Sequence, residues 1–217
     1  MFTIIQVDET LYDLKEDLGW MTDFPESFNA PKVRTNYKTI PGRNGELDLT
    51  EIDGHRYYEP IEFTIIANRL CRTSAEIIQY GSQLMNLFNG KRGRIYLDTA
   101  DYYYDGRITV GAYERDGLRL GVELTIRAFP YRLAEEMTQI TQTVSGSGTV
   151  TLSNGNMPVV PTITSTASMT LAWDTYSVQI SAGEDILVPD LVLEDGNTEI
   201  TLTGSGTITF TYQEGIF

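Results

Sequence analysis

The chain has 217 residues, a formal net charge of −14 and a hydrophobic content of 41%. This length and composition allow one large or two small packed domains, and no apolar run approaches the roughly 20 residues of a membrane-spanning helix. No basic segment followed by an apolar one opens the sequence, so no signal peptide is expected. The only cysteine, Cys71, can form neither an internal disulfide nor a thiolate metal cluster, which favours synthesis in a reducing cytoplasm.

Charge is distributed unevenly along the chain. All 16 basic residues lie at or before Arg132, where 20 acidic residues accompany them and leave a net charge of −4. From residue 133 onward there are ten acidic residues and no basic one. Binding to nucleic acid needs clustered lysine and arginine, so the composition predicts no sequence-specific nucleic-acid partner. The negative charge is interpreted as a contribution to solubility. The alternative interpretation is that an acidic surface lets DNA pass without binding it.

An exposed arm is predicted early in the chain. Residues 1–31 have strand character only at 2–5, with a loop around Pro25. Residues 32–40 show little clean alternation, and one of their two faces stays polar almost to the end, which is typical of an exposed strand or a projecting hairpin arm. Residues 46–50 alternate. Two turn dipeptides around one arginine join these segments: Pro41, Gly42, Arg43, Asn44 and Gly45. A further turn is predicted at Asp53 and Gly54.

One helix is predicted among several strands in the first 135 residues. Thr73 and Glu76 have the spacing of a capping box, apolar residues recur at helical spacing, and Asn89-Gly90 ends the pattern. A strand over 61–66 precedes the helix. Three strands follow it, at 94–98, 102–113 and 118–129, with a hairpin signal at Asp116-Gly117. The pattern predicts an α+β arrangement.

The composition changes near residue 138, where Thr, Ser and Gly become dominant. Many short strands at this spacing predict a β-sandwich over 136–217, separate from a first domain over 1–135. The predicted strands are 148–152, 159–165, 169–173, 177–181, 185–188, 199–203 and 207–212. Residues 145–148 are interpreted as a turn. Gly-Ser-Gly-Thr occurs at 146–149 and 204–207, which suggests two similar hairpins.

Catalytic chemistry has little support in the sequence. His55 is the only histidine, and neither a nucleophile elbow nor a phosphate loop is present. Asp98, Asp101 and Asp105 miss the spacing of a calcium loop. Glu184-Asp185 could serve a glycosidase only if a cleft set a second carboxylate at the required distance. We therefore expect no enzyme, no cofactor and no metal.

The ordered motifs of the first 135 residues resemble the N-terminal domain of phage distal tail proteins, the Dit family of siphophage tail tips. That family has a PGRxGxLDLT loop, which matches residues 41–50. An aromatic-rich strand, a helix ending in Asn/His-Gly-Lys and a tyrosine-containing strand follow in the same order. The family's closing PYRY-like tag stands here at 129–133 as Phe-Pro-Tyr-Arg-Leu, without its last aromatic.

The resemblance implies a mainly β protein. Residues 1–135 would be a tail-tube-like α+β sandwich with one helix, and 136–217 a galectin-like or carbohydrate-module-like sandwich. It implies a virion protein of the tail tip that forms a homo-hexameric ring, with residues 41–45 at the subunit contact. Its partners would be the tail tube protein, the tail-associated hub or tape-measure proteins and, further out, a receptor-binding protein.

A carbohydrate-binding adhesin is the alternative function. In that interpretation the second domain attaches to the host surface, and Trp173 and Tyr176 stack on a sugar. Exposure of the Trp173 ring would favour this alternative, and burial of the ring would oppose it.

Overall fold

The computed structural model describes residues 2–23, 30–52 and 54–217. It divides into two compact units, Met1–Pro130 and Tyr131–Phe217. The loop predicted around Pro25 and the Asp53 half of the predicted turn lie outside the described residues. The mainly β class predicted from the sequence is confirmed. Within the described residues, no helix is both long enough and apolar enough to cross a membrane.

Unit 1 is built on one antiparallel sheet. Its described elements are β1 Thr3–Val7, β2 Thr10–Asp13, β3 Met21–Asp23, β4 Tyr37–Thr39, β5 Glu46–Asp48, β6 Ile61–Leu70, α1 Ser74–Phe88, β7 Arg92–Leu97, β8 Tyr102–Asp116 and β9 Arg119–Ala128. Seven strands follow one another in the order β2-β1-β7-β8-β9-β6-β3. Strands β4 and β5 pair only with each other and form a separate hairpin.

Helix α1 begins and ends where its capping signals predict. The hydroxyl of Thr73 accepts a hydrogen bond from the backbone N–H of Glu76 at 3.2 Å, which satisfies one of the free donors of the first turn. Asn89 follows the last helical residue, and its side-chain oxygen accepts the backbone N–H of Val110 on β8 at 3.0 Å. The helix buries Ile77, Leu84 and Phe88 in the core of unit 1. The predicted helix is therefore confirmed.

The first 31 residues contribute more to the core than the sequence suggests. Leu14, Leu18 and Trp20 are buried, although no periodic pattern connects them. They lie between two short strands, β2 and β3, which occupy opposite edges of the sheet. Strands of three or four residues are too short for a recognisable alternation, which is why the sequence analysis missed both.

Strands β6, β8 and β9 have one buried and one open face. On β9, residues at even positions from Leu120 to Ala128 are buried, and the odd positions are exposed or partly exposed. The buried face packs with α1 into the core. The open face carries polar and charged side chains, as expected for a strand with period two.

Unit 2 is all β. Its elements are β10 Arg132–Ala134, β11 Thr138–Asn154, β12 Thr162–Ser165, β13 Met169–Trp173, β14 Tyr176–Ile180, β15 Gly183–Leu187, β16 Gly196–Tyr212 and β17 Gly215–Ile216. Five of these strands follow the order β14-β13-β16-β12-β15, and β11 pairs with β16 along its whole length. Strand β10 pairs with β17.

The turn predicted at 145–148 is wrong. These residues lie inside β11, and the predicted strands 199–203 and 207–212 are both parts of β16. The two Gly-Ser-Gly-Thr motifs lie on strands that are paired with each other but are separated in the chain by β12 to β15, and Gly146 lies directly opposite Gly204. The buried residues of both strands are at even positions, and Gly204 and Gly206, which are partly exposed, lie on that face where β16 changes partner from β13 to β12. These glycines therefore indicate a bend within a continuous strand and do not indicate the end of the strand.

Limited proteolysis is expected to yield two stable fragments, cut near the boundary that the change in composition predicts at about residues 133–145, in the part of it that precedes β11. Each unit has its own buried cluster, which is what independent folding requires. The check is mass spectrometry of the fragments, followed by circular dichroism of a separately produced 1–132. A 1–132 fragment without cooperative unfolding would contradict the two-domain prediction.

Candidate assembly surfaces

A hairpin arm projects from unit 1 between β3 and β6. In β4 and β5, Tyr37 is opposite Asp48 and Thr39 is opposite Glu46. The contacts that close the base of the arm include an isolated bridge between Val33 and Tyr58 and a backbone hydrogen bond of 2.8 Å from Glu59 to Lys32. The two sides of the arm are therefore hydrogen-bonded at its base, and residues 41–45 at its tip are exposed.

No described residue between 30 and 60 is buried. Four large apolar or aromatic side chains on the arm are exposed by 39% to 76%: Tyr37, Ile40, Ile52 and Tyr57. The sequence analysis named the loop at 41–45 but missed these side chains. The available signal was apolar residues placed among turn dipeptides in an otherwise polar segment. Several exposed apolar side chains in one segment make the arm a candidate interaction surface.

The tip of the arm is shaped by its two turn dipeptides. Gly42 and Gly45 have φ values of +80° and +78°, in the left-handed region that glycine adopts without strain. The backbone N–H of Arg43 donates to the carbonyl of Ile40 at 3.1 Å, which closes the turn. The side chain of Arg43 is exposed. It makes no hydrogen bond or ion pair with any residue that the structure describes.

The second strand of the arm ends in a hydrogen-bonded corner. Asp48 accepts the backbone N–H of Thr50 at 2.9 Å, and the hydroxyl of Thr50 accepts the backbone N–H of Asn36 at 3.1 Å. The hydroxyl and the backbone N–H of Thr50 both lower the pKa of Asp48 below its ordinary 3.8. The corner thus connects both sides of the arm through the hydroxyl of Thr50, whose backbone the ionised carboxylate of Asp48 holds in place.

We expect this corner to open in acid. Because the pKa of Asp48 is lowered when the corner is formed, the ionised carboxylate stabilises the corner above pH 3.8 and ceases to do so as the pH falls through the lowered pKa. The check is the amide proton shift of Thr50 by NMR, which should titrate with a midpoint below 3.8. Asp48→Asn should remove the transition, and a midpoint at or above the ordinary value would contradict the prediction.

The possible sugar contact lies at the β13–β14 hairpin, where Trp173 is opposite Tyr176. The two rings are stacked, with centroids 5.5 Å apart and planes at 15°. Trp173 is only 5% exposed and belongs to the core of unit 2, whereas Tyr176 is 51% exposed. Burial of the Trp173 ring opposes the adhesin alternative, so a sugar contact stays a prediction that rests on Tyr176.

Two of the three aspartates near a calcium-loop spacing, Asp98 and Asp105, take part in other interactions. Asp98 accepts the backbone N–H of Phe2 at 2.8 Å, and Asp105 forms a bidentate pair with Arg92 at 2.8 and 2.6 Å. Across the described residues, no group of three or more His, Cys, Asp or Glu side chains could hold a metal ion. Burial raises the pKa of the Cys71 thiol, which disfavours the reactive thiolate.

Comparison with known proteins gives matches only among solved structures. No family model matches, and no curated protein matches. The crystal structure of the Dit protein of phage SPP1 matches with a TM-score of 0.66 and 18% identity, over 97% of this chain and 98% of that one. A chain of the phage p2 baseplate in its activated conformation matches with a TM-score of 0.42 and 7% identity, over 97% of both chains. The predicted resemblance is therefore confirmed at the level of the fold, which this chain shares with the Dit protein of phage SPP1 over nearly its whole length.

Proposed function

We propose that this chain is a structural protein of a phage tail tip. In this proposal six copies form a ring at the distal end of a non-contractile tail and join the tail tube to the hub and the adsorption apparatus. The observation that carries the proposal is the arm of residues 32–59, which has no buried residue among those described and exposes several apolar side chains.

An arm of this kind needs a partner surface. A two-stranded hairpin alone is at best marginally stable in water, and β4–β5 pairs with no further strand. A homomeric ring solves this, because each subunit presents its arm to a different patch of the next subunit until the ring closes. Covering Tyr37 and Ile52 would also remove exposed apolar area from water.

The two units have different roles in this proposal. Residues 1–135 form the ring, with one side toward the tail tube protein and the other toward the hub or tape-measure proteins. Residues 136–217 form a peripheral domain that can hold a receptor-binding protein. The fold match supports this arrangement, since the SPP1 protein is described as a paradigm of the hub adsorption apparatus in phages that infect Gram-positive bacteria. The protein would be made in the host cytoplasm and function in the virion, without catalysis.

Light scattering coupled to size exclusion tests the ring. The expected mass is six times the 24.4 kDa of one chain, retained over a wide concentration range. A deletion of residues 37–49 closed by two glycines should leave a folded monomer, because the arm contributes nothing to either described core. A wild-type protein that stays monomeric at high concentration and within isolated tails would overturn the proposal.

A further inference from the structure

The open face of the unit 1 sheet carries three arginines in one row. Arg92 on β7 is the direct cross-strand partner of Arg107 on β8, and Arg107 is the direct partner of Arg127 on β9. Like charges placed directly opposite each other destabilise a sheet. Repulsion between neighbouring guanidiniums in this row is therefore a cost to the fold, which binding of an anion would offset.

Arg34 adds a fourth guanidinium beside the row. Its backbone N–H donates to the carbonyl of Tyr57 at 2.7 Å, which joins the two sides of the arm at its base. Together the four arginines line a groove of about 350 Å³. Its other lining residues include Tyr58, Pro60, Asp105, Phe129 and Pro130.

Most of the positive charge in this groove is left uncompensated. Asp105 is the only carboxylate among the lining residues, and its bidentate pair with Arg92 neutralises one guanidinium. The guanidinium of Arg107 donates to the carbonyl of Gly90, which is uncharged. The side chains of Arg34 and Arg127 make no hydrogen bond or ion pair within the described part of the chain. The groove thus has an excess of three positive charges in a chain whose net charge is −14.

We infer that this groove docks an acidic segment of a partner polypeptide. Guanidinium groups bind carboxylates in a planar, bidentate geometry that selects for direction as well as charge. Tyrosine, phenylalanine and arginine are also the side chains enriched at protein interfaces. The proline and aromatic residues that line the groove beside the arginines can pack against the backbone and the apolar side chains of a bound peptide.

A nucleic acid fits the same groove less well. Phosphate would also bind the four guanidiniums, but a long polyanion must approach through the field of a chain with a net charge of −14. A short acidic peptide can place its carboxylates in the groove while the rest of the peptide stays away from the acidic surface, so it meets less repulsion than a nucleic acid does. Charge complementarity therefore favours a polypeptide partner.

Fluorescence anisotropy with two labelled probes, a hexaglutamate peptide and a twelve-residue oligothymidylate, tests the inference. Wild-type protein should bind the peptide, more weakly as salt rises, and bind the oligonucleotide more weakly than the peptide. Arg127→Glu should weaken peptide binding by about tenfold or more, because it removes one guanidinium and places a like charge in the groove. Arg34→Glu should also weaken peptide binding. Because this substitution changes no residue of the sheet, it provides the test if Arg127→Glu fails to fold.

Arg115→Glu is the matched control. Arg115 is an exposed arginine on β8, outside the groove, where its guanidinium donates to the carbonyl of Gly117 at 2.9 Å. Its replacement should change peptide affinity by less than about twofold. Tighter binding of the oligonucleotide, equal losses in the control and the groove variants, or no peptide binding at low salt would each overturn the inference. The ring proposal is unaffected by any of these outcomes, because it is tested by mass alone.

Discussion

Arg43→Glu is expected to convert the ring into smaller species. Arg43 lies at the tip of the arm, where Gly42 and Gly45 fix the backbone and the side chain is exposed. A stiff turn presents that side chain at low entropic cost, and each neighbouring subunit offers many carboxylates. A desolvated arginine–carboxylate contact would lose about 2–5 kcal/mol, and an exposed one less than about 1 kcal/mol. A closed ring repeats the loss at every contact, so even the smaller value shifts assembly.

The measurement is the oligomer mass of wild type and variant over a dilution series. Arg72→Glu is the matched control, since Arg72 is exposed and lies just before α1, outside the arm. The control should retain the wild-type mass at every concentration. A ring of unchanged mass and dissociation midpoint in Arg43→Glu would remove Arg43 from the subunit contact, while the ring itself would remain.

Capping and turn residues in the sequence were sufficient to predict the helix, the hairpin and the arm tip that they form. The capping box at Thr73 and Glu76 located α1, and the Asp116-Gly117 dipeptide located the β8–β9 hairpin. The turn dipeptides at 41–45 located the tip of the arm. Each of these features depends on residues that are close in sequence, so its physical cause is visible in a short window.

Features that depend on long-range pairing could not be predicted in the same way. The arginine groove exists only because β7, β8 and β9 pair in one register, which brings Arg92, Arg107 and Arg127 side by side. The sequence shows three separate arginines on three strands. A register shift of one residue would turn every side chain to the other face, and nothing in a short window fixes the register. The same reason hid β3, whose partner β6 is distant in sequence.

Gly206→Ala is expected to destabilise unit 2 by about 2–3 kcal/mol, the range of a crowded core substitution. Gly206 has a φ of +156°, which an alanine would adopt only with strain, and it faces the core at the bend of β16. A Cβ at this position would lie 2.8 Å from the hydroxyl of Thr166 and 3.0 Å from the Cβ of Ala167. Thr166 cannot retreat easily, because its hydroxyl accepts the backbone N–H of Thr207 at 2.8 Å.

Gly148→Ala is the matched control. It shows the effect of replacing a glycine within a strand where an added Cβ meets no close contact. Gly148 lies on the same face of β11, but the nearest atom to an added Cβ is a methyl group of Val144 at 3.7 Å, an ordinary contact. Its replacement should be neutral or slightly stabilising, since alanine reduces the entropy of the unfolded chain. Calorimetry of residues 131–217 should show a melting temperature lower by about 10 °C or more for Gly206→Ala. Equal melting temperatures for the two variants would mean that β16 tolerates a side chain at Gly206.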